Sequence, residues 1–358
     1  MIKVLHGADF HLDSAFSSLS PEGAAQRRRE QRFALEQLTK ICRDEACDIV
    51  LLAGDLFDSA QVYRDTLEAL QQFFASCPAE IFIAPGNHDY IRAGSPYLTE
   101  NWGENVHIFT KGEVECVHLP KLNCDVYGAA FTAMEMPSLL ECFHVADEDA
   151  INLMVLHGDL QPNSVYNWMT PSQIAESGLD YLALGHTHEG EQGKYGKTTY
   201  AWPGCLMGRG FDECGAKGVL LAQVSKEECM AEFLPLDNRR YEILQVEVGE
   251  DVLASIRATL PADTQKDCYR ILLRGEADAP DIVALEQTLS SEFFSLSIRD
   301  HTVPKQDLWA ACGEDTLRGH FLRELKEQYD TGAEDQRRIV AKAAKLTLAL
   351  MDGREVFL

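Results

Sequence analysis

Residues 48–58 read DIVLLAGDLFD, a short apolar run that stops at a glycine followed by acidic residues. An apolar segment of this length, bounded by polar residues, is typical of a buried strand that ends at a loop. The same design occurs before it, in IKVLHGADFH at residues 2–11, and after it, in EIFIAPGNHD at residues 80–89. Helical periodicity fills the intervals, over residues 24–45 and 63–75. The order predicts a βαβαβ unit with a parallel sheet.

The rest of the chain predicts two further parts. Three strands, at residues 152–156, 181–184 and 198–202, again end in polar residues, and a hairpin at residues 218–236 closes a first domain at 1–236. Residues 237–303 alternate strand and helix and predict a small α+β domain. Residues 304–358 predict a C-terminal helical pair, roughly 315–329 and 335–351.

Five polar motifs follow the predicted strands, and each offers groups that can bind a divalent cation. They are Asp9-Phe10-His11, Gly54-Asp55-Leu56-Phe57-Asp58, Gly86-Asn87-His88-Asp89, His157-Gly158 and Gly185-His186-Thr187-His188. Because the carboxyl ends of parallel strands meet at one edge of a sheet, we expect these loops to converge. The ligands expected there are Asp9, His11, Asp55, Asn87, His157, His186 and His188.

Seven ligands of mixed oxygen and nitrogen suffice for two ions, with positions left for water and a phosphate. Carboxylate with imidazole suits manganese, iron or zinc better than calcium. Asp55 has two oxygens and can bridge ions roughly 3.5–4 Å apart. Asp9 and His11 are two residues apart, as are His186 and His188. Each pair therefore faces one centre only where the backbone leaves regular strand geometry.

The two residues after Asn87 have a different predicted role. A hydroxide activated between two ions can attack phosphorus in line with the leaving oxygen. His88 is placed to protonate that oxygen, and Asp89 to orient the imidazole of His88. The remaining histidines match no motif and are interpreted as structural or surface residues: His6, His107, His118, His144, His301 and His320.

The motif series resembles the calcineurin-like metallophosphoesterase superfamily over roughly the first 205 residues. Within it, the stretch from Asp9 to Leu12 and the Gly54 and Gly86 motifs are most similar to the SbcD-type DNA repair exonucleases. The resemblance implies an α/β fold: a metallophosphoesterase β-sandwich flanked by helices, then a capping-like α+β domain. It implies one ion at Asp9, His11, Asp55 and His188, and a second at Asp55, Asn87, His157 and His186. Manganese is preferred, with iron, zinc or magnesium as alternatives.

A glycine-rich segment after the last ligand pair, residues 203–218, also resembles these nucleases. It implies that Arg209, and in the same way Lys217, contacts a substrate phosphate, although a turn capped by surface charge explains either residue equally well. The chain departs from the pattern at Asp13, where SbcD-type enzymes commonly have glycine.

Composition limits the protein classes that remain. With 358 residues, 46% hydrophobic and 25% charged, the chain is globular and large enough for two or three domains. The net charge of −25 argues against a broad basic face for nucleic acid, although bound cations offset part of it. The best local source of positive charge is the cluster Arg27, Arg28 and Arg29 with Arg32. This cluster is expected either to contact DNA or to form a solvated helix face.

The expected compartment follows from what the sequence lacks. The 11 cysteines are scattered and odd in number, which favours reduced thiols. No apolar stretch approaches the roughly 20 residues of a spanning helix, and the opening MIKVLHGADF does not read as a signal peptide. We expect a soluble, cytoplasmic protein without membrane partners.

Three functions fit these observations. The first is a DNA exonuclease or endonuclease of DNA repair. The second is a phosphatase or a small-molecule or cyclic-nucleotide phosphodiesterase. Ser59-Ala60 and Asp89 replace the Arg-Gly and Glu that Ser/Thr phosphatases usually show, which counts against a phosphatase. The third is an assembly subunit whose apolar C-terminal helices bind a partner such as an SMC-like SbcC-type ATPase, or pack on the body instead.

A homodimer is the remaining expectation. The apolar positions of the first two helices include Phe33, Leu35 and Leu38, and then Phe73 and Phe74. Adjacent residues point about 100° apart on a helix, so one of Phe73 and Phe74 is expected to face the sheet and the other to look outward. The resemblance also implies dimerisation through helices near this segment.

Overall fold

The computed structural model describes residues 1–59, 61–277, 280–303 and 308–353. Its strands are β1 Ile2–Gly7, β2 Ile49–Leu52, β3 Glu80–Ile83, β4 Val106–Ile108, β5 Glu115–Leu119, β6 Cys124–Gly128, β7 Ile151–His157, β8 Tyr181–Gly185, β9 Glu191–Tyr195, β10 Thr198–Trp202, β11 Gly218–Val224, β12 Cys229–Pro235, β13 Tyr241–Glu247, β14 Cys268–Arg274 and β15 Ser295–Asp300. Its α-helices are α1 Pro21–Asp44, α2 Arg64–Ser76, α3 Pro96–Thr99, α4 Pro171–Glu176, α5 Val252–Thr259, α6 Ile282–Leu289, α7 Leu317–Thr331 and α8 Glu334–Met351.

The first sheet has six strands in the order β12-β11-β1-β2-β3-β4. Strands β1 to β4 are parallel, and α1 and α2 make the crossovers between the first three. Val4 is paired with Ile49, and Val50 with Ile81. The predicted βαβαβ unit and its parallel sheet are therefore confirmed.

The second sheet has the order β5-β6-β7-β8-β10-β9 and is parallel at its centre. Strands β7, β8 and β10 of this sheet match the prediction. Its strands β5, β6 and β9 were missed, as was β4 of the first sheet. The residues of the edge strands β5 and β9 are half-buried or exposed, with none buried, and β6 contains an aspartate and a glycine. With two sheets flanked by helices, the predicted sandwich is confirmed.

One apolar layer lies between the two sheets. Val4, Leu51 and Phe82 of the first sheet belong to the same buried cluster as Leu153 and Val155 of the second. The opposite face of the first sheet packs on α1 and α2, and the opposite face of the second packs on α4. The layer orients both sheets so that the loops after β1, β2, β3, β7 and β8 come together.

The helices require two corrections. Phe33 is 54% exposed, because the buried stripe of α1 runs through Ala34, Leu35, Leu38 and Cys42 instead. The prediction that one aromatic ring of α2 faces outward is also wrong. Phe73 and Phe74 are each only 1% exposed, and their rings lie 5.3 Å apart within the core.

Asp13 holds the start of α2. Its φ of 66° lies in the left-handed region, where glycine is the usual residue. Its carboxylate accepts hydrogen bonds from the backbone N–H of Tyr63 at 2.8 Å and from the Thr66 hydroxyl at 2.6 Å. The departure at this position therefore fastens the loop after β1 to the first turn of α2, whose N-cap residue Tyr63 makes no side-chain cap.

The chain divides into two compact units. The first comprises Met1–Ile243, Asp263–Arg270 and Ser290–Leu296, and the second Leu244–Ala262, Ile271–Leu289 and Ser297–Leu358. The predicted alternation of strand and helix is present, as β13-α5-β14-α6-β15, and its strands form a separate three-stranded sheet. The predicted limits at residues 304 and 358 lie outside the described residues.

Helices α7 and α8 pack on each other. Leu322, Ala344 and Leu348 form their buried centre, whereas Leu317 and Ile339 are 80% and 70% exposed. Across the described ranges, no helix has both the length and the apolar character needed to cross a membrane.

Candidate metal centre

Five loops carry the predicted ligands to one place in the first unit. Asp9 and His11 follow β1, Asp55 follows β2 and Asn87 follows β3. His157 is the last residue of β7, and His186 and His188 follow β8. All seven lie close together, and Asp9, His11, Asp55, Asn87 and His157 are buried.

The backbone around the ligands leaves regular geometry, as the spacing predicted. Asp9 and His11 have φ angles of 52° and 42°, Asp55 has 51° and His186 has 100°. Such conformations cost about 1–3 kcal/mol each in residues other than glycine and persist where the surrounding structure fixes them. They turn these side chains out of the strand ends and toward the place where the loops meet.

Two glycines leave room for the ligands. Gly54 has a φ of 86°, and a Cβ there would lie 2.6 Å from the Nδ1 of His157. A Cβ on Gly86 would collide with the Oδ1 of Asp55. The glycines of the GD and GN motifs are therefore required by close approach to ligand side chains.

One group of ligand atoms surrounds His11. Its Nε2 lies 3.1 Å from the Nε2 of His188 and 3.9 Å from the Oδ2 of Asp55. The Nε2 of His188 lies 3.8 Å from the Oδ1 of Asp9. Asp9, His11 and His188 offer atoms that lie within 4.8 Å of one another, the spacing expected for ligands of one ion.

A second group surrounds Asn87. Its Oδ1 lies 2.9 Å from the Nε2 of His157 and 3.3 Å from the Nδ1 of His186. The Nε2 of His157 lies 3.4 Å from the Oδ2 of Asp55. The same Asp55 oxygen therefore lies within 4 Å of a histidine in each group, which is the position a bridging carboxylate requires.

The outer nitrogen of each imidazole faces an oxygen atom, and those of His157 and His188 are hydrogen-bonded to it. The Nδ1 of His188 donates to Glu213 at 2.7 Å, and the Nδ1 of His157 donates to the Ala53 carbonyl at 2.9 Å. The Nδ1 of His11 lies 3.1 Å from Asp58, and the Nε2 of His186 lies 3.4 Å from Asp159. Such partners fix the tautomer and ring orientation of metal-binding histidines.

Sequence reasoning missed three of these partners. Asp58 belongs to a quoted motif but received no role, and Asp159 directly follows the His157-Gly158 motif. Glu213 lies 25 residues after His188 and carries no motif of its own. Only the folded structure brings it to the imidazole.

Burial and mutual charge set the protonation of the site. Burial raises the pKa of Asp9 to about 7, and the negative charge of Asp55 adds to this effect. Burial disfavours the charge on His157, but the carboxylates of Asp55 and Asp9 outweigh it and raise its pKa to about 9. Burial lowers the pKa values of His11 and His186 to about 4. Buried carboxylates together with the neutral imidazoles of His11 and His186 form an environment that suits a cation.

His88 and Asp89 are placed differently from the prediction. The ring of His88 is exposed, and its Nδ1 lies 3.2 Å from the Asp58 carbonyl oxygen. The expected bond from Asp89 to this ring is not made. The Asp89 carboxylate is buried and accepts hydrogen bonds from Tyr97 and from three backbone N–H groups: those of Gly86, Leu56 and Phe57. Asp89 therefore joins the Asp55 and Asn87 loops.

The basic residues that were predicted to contact phosphate or DNA differ in where they lie. Arg209 lies beside the site, 3.0 Å from Asp58 and 2.8 Å from Glu213, and Lys217 donates to the His188 carbonyl at 3.4 Å. Arg27 is fully buried, so neither a DNA contact nor a solvated face describes it.

Arg27 has partners of its own. Its guanidinium pairs with Glu30, donates to Gly208 at 2.6 Å and lies 5.5 Å from the ring centres of Phe16 and Tyr241.

The donor set fits divalent cations. Carboxylate and amide oxygens combined with imidazole nitrogens suit manganese, iron, zinc or magnesium. Two packed sheets flanked by helices, with this donor set at the ends of their parallel strands, are the architecture of a metal-dependent phosphoesterase.

Sequence comparison gives the family. The family model for calcineurin-like phosphoesterases matches residues 2–190, and the chain belongs to this family. It is a hydrolase acting on phosphoric esters. The uncharacterized metallophosphoesterase YhaO of Bacillus subtilis (strain 168) is 29% identical over 298 residues, which cover 76% of this chain and 72% of that protein.

Solved structures resemble the chain at lower similarity. An archaeal phosphodiesterase is 16% identical and covers 66% of this chain and 100% of its own, with a TM-score of 0.37. The protein TT1561 of Thermus thermophilus is 12% identical over 65% of this chain and 98% of its own, with a TM-score of 0.38. Zinc-bound Vps29 of Entamoeba histolytica is 14% identical over 65% and 99%, with a TM-score of 0.32.

Proposed function

We propose that the chain is a phosphodiesterase that cleaves DNA with two divalent ions, manganese preferred. The observation that carries the two-ion proposal is the position of Asp55, which lies within 4 Å of His11 in one ligand group and of His157 in the other. Asp9 and His188 complete the first group, and Asn87 and His186 the second. DNA as the substrate is supported by the resemblance of the motifs to SbcD-type nucleases.

The ligand groups prepare the site for a phosphodiester. When bound, the ions polarise a water and neutralise charge on the phosphate. Asn87 contributes an oxygen without adding charge. Hydrogen bonds hold the rings of His157 and His188 with one nitrogen toward the centre, and Asp58 and Asp159 face the outer nitrogens of His11 and His186. A rigid arrangement of this kind favours the charge that develops in the transition state over that of the substrate.

His88 is the proposed proton donor. Its Nδ1 is occupied by the Asp58 carbonyl, so the free Nε2 is the atom that delivers a proton to the leaving oxygen. The backbone N–H of His88 donates to the Oδ1 of Asp55 at 2.9 Å, which ties the ring to the ligand loop. Arg209 is proposed to contact the phosphate with the part of its guanidinium that Asp58 and Glu213 leave free.

A small-molecule or cyclic-nucleotide phosphodiesterase is the second candidate. The GNHD sequence at residues 86–89 is shared with that class, and the net charge of −25 suits a compact substrate better than a long polyanion. Of the residues that argue against a phosphatase, Ala60 lies outside the described residues.

One assay series separates the candidates. The purified protein is incubated with Mn²⁺ and linear duplex DNA, single-stranded DNA, a cyclic nucleotide or a phosphomonoester, and the Asp55→Asn variant controls for contaminating nucleases. The proposal expects cleavage of DNA by the wild type alone. Cleavage confined to cyclic nucleotides supports the second candidate, and cleavage confined to the monoester contradicts both.

The proposed partners are a second copy of this chain and an SbcC-type ATPase. Phe33 on α1 and Tyr63 before α2 are 54% and 58% exposed, and they replace Phe73 and Phe74 as outward aromatic groups for a dimer. Leu317 and Ile339 offer apolar surface for the ATPase. Light scattering of wild type and Phe33→Glu tests the dimer, since a wild-type mass near 39.9 kDa contradicts it.

A further inference from the structure

A pocket of about 300 Å³ opens beside the ligand His188. It lies where the ends of β9 and β10 approach β11 and β12, all within the first unit. Its apolar wall includes Trp202, Pro203, Leu220 and Phe233. This volume is at the lower end of the range for sites that bind small molecules, and mostly apolar walls are typical of them.

The pocket exists because the layer between the sheets is not filled at this edge. Leu220 is paired across the strands with Phe233 and is 4% exposed, packed in the layer between the sheets. Phe233 stands beside it on the same face but is 39% exposed. A large aromatic ring with one open side can accept another flat ring by stacking.

Polar groups at the pocket favour one class of ligand. Lys217 lines it and lies 3.4 Å from the His188 carbonyl oxygen, so a positive charge stands at the side of the pocket where His188 lies. Glu191 and Gln192 add a carboxylate and an amide. A flat ring with hydrogen-bonding edges, joined to a phosphate, is the chemistry of a nucleotide.

We propose that this pocket takes the base of a nucleotide whose phosphate lies at the metal centre. The base must be unpaired to enter, so single-stranded or frayed DNA ends are preferred to blunt duplex ends, which must first be unstacked. The inference rests on the proposed phosphodiesterase function and narrows its substrate class. Phe233 supplies the stacking surface, and Lys217 holds the adjoining phosphate.

The test uses three dinucleoside monophosphates with Mn²⁺: thymidylyl-thymidine and its two analogues that lack one base. Stacking of a base on an aromatic side chain corresponds to about 5- to 150-fold in affinity. We expect removal of one base to raise KM by that factor with kcat nearly unchanged. We expect Phe233→Ala to raise the KM for thymidylyl-thymidine by the same factor. Phe233→Trp should restore the KM of the wild type. Phe233→Ala should not further raise the KM of the analogue that lacks the stacked base.

The matched control is Met230→Ala. Met230 is also on β12 and 57% exposed, but it does not line the pocket, and we expect no change in KM. Equal KM values for all three substrates, or an unchanged KM in Phe233→Ala, overturn the proposal. The proposal is also overturned if Met230→Ala removes the dependence of KM on the base to the same extent as Phe233→Ala does.

A binding measurement separates this proposal from the function on which it rests. Calorimetry compares thymidine 5′-monophosphate with 2-deoxyribose 5-phosphate in wild type and Phe233→Ala. Base-dependent binding that Phe233→Ala removes, without hydrolysis of any phosphodiester, retains the pocket and rejects the proposed function. Hydrolysis with no base effect in either measurement retains the function and rejects the pocket.

Discussion

Glu213 is the residue whose removal tests the metal centre most directly. It is 5% exposed, and its carboxylate accepts the Nδ1–H of His188 at 2.7 Å and a guanidinium N–H of Arg209 at 2.8 Å. Burial alone would raise the pKa of Glu213, but the hydrogen bonds from His188 and Arg209 keep it well below its usual range. The group is therefore a permanent anion at neutral pH and fixes the Nε2 of His188 toward Asp9.

The expected magnitude follows from this role. Removal of a partner of a metal-binding histidine typically lowers metal affinity about 10- to 100-fold, or about 1.4–2.7 kcal/mol. Glu213→Ala also leaves Arg209 with Asp58 alone, so we expect the upper part of the range. Glu213→Gln keeps an acceptor oxygen for His188 but loses the charge, and we expect less than about a tenfold loss.

Calorimetric titration of metal-free protein with Mn²⁺ measures the effect. Glu232→Ala, an exposed residue on β12, is the control and should bind as wild type does. Circular dichroism and thermal unfolding establish that each variant is folded. A folded Glu213→Ala protein with wild-type affinity would refute the assignment of Glu213 as the partner that orients His188.

Three other changes have defined outcomes. Asp55→Asn should remove most activity and weaken binding in both ligand groups, as measured by metal content and rate; a variant that keeps wild-type metal content would contradict the bridging position. His88→Ala should slow turnover by about 10²–10⁴ while metal content is retained, and loss of metal would show that His88 is a ligand. The pKa of buried His6 is lowered from 6.5 to about 3, chiefly by burial, so the unfolded chain binds the proton more tightly and stability falls as pH drops from about 6.5 toward 3. That contribution is at most about 5 kcal/mol, and urea unfolding of His6→Gln should show a smaller loss over this window than wild type.

The ends of the parallel strands could be predicted because chemistry and local pattern coincide there. The ligands end or follow strands of four to seven residues, and the alternation of apolar runs with helical periodicity predicted the βαβαβ unit. The left-handed backbone at Asp9 and His11 lies where the chain turns out of β1 toward the ligand groups, as a loop after a strand allows. The edge strands β5 and β9 gave no comparable signal because half-exposed residues carry no sharp period.

Contacts that are distant in sequence could not be predicted. Glu213 is one of 57 acidic residues, and nothing in its neighbourhood marks it as the partner of His188. Arg27 belongs to an arginine run that suggests solvent or DNA, yet it lies in the buried stripe of α1 with Gln31 and Leu38. Its spacing matches that stripe, and Glu30, the Gly208 carbonyl and the surrounding aromatic rings together make its burial acceptable.

The charges around the site favour two ions rather than one. Six described carboxylates lie at or beside the ligand groups: Asp9, Asp55, Asp58, Asp89, Asp159 and Glu213. Binding of a cation would require Asp9 to be ionised and His157 to be neutral, and in that state Arg209 and Lys217, the cations next to the carboxylates, leave four negative charges. Two divalent ions balance these charges, whereas one leaves two buried charges uncompensated. We therefore expect two Mn²⁺ per chain by elemental analysis of reconstituted protein, and a single ion at saturation would contradict the two-ion proposal.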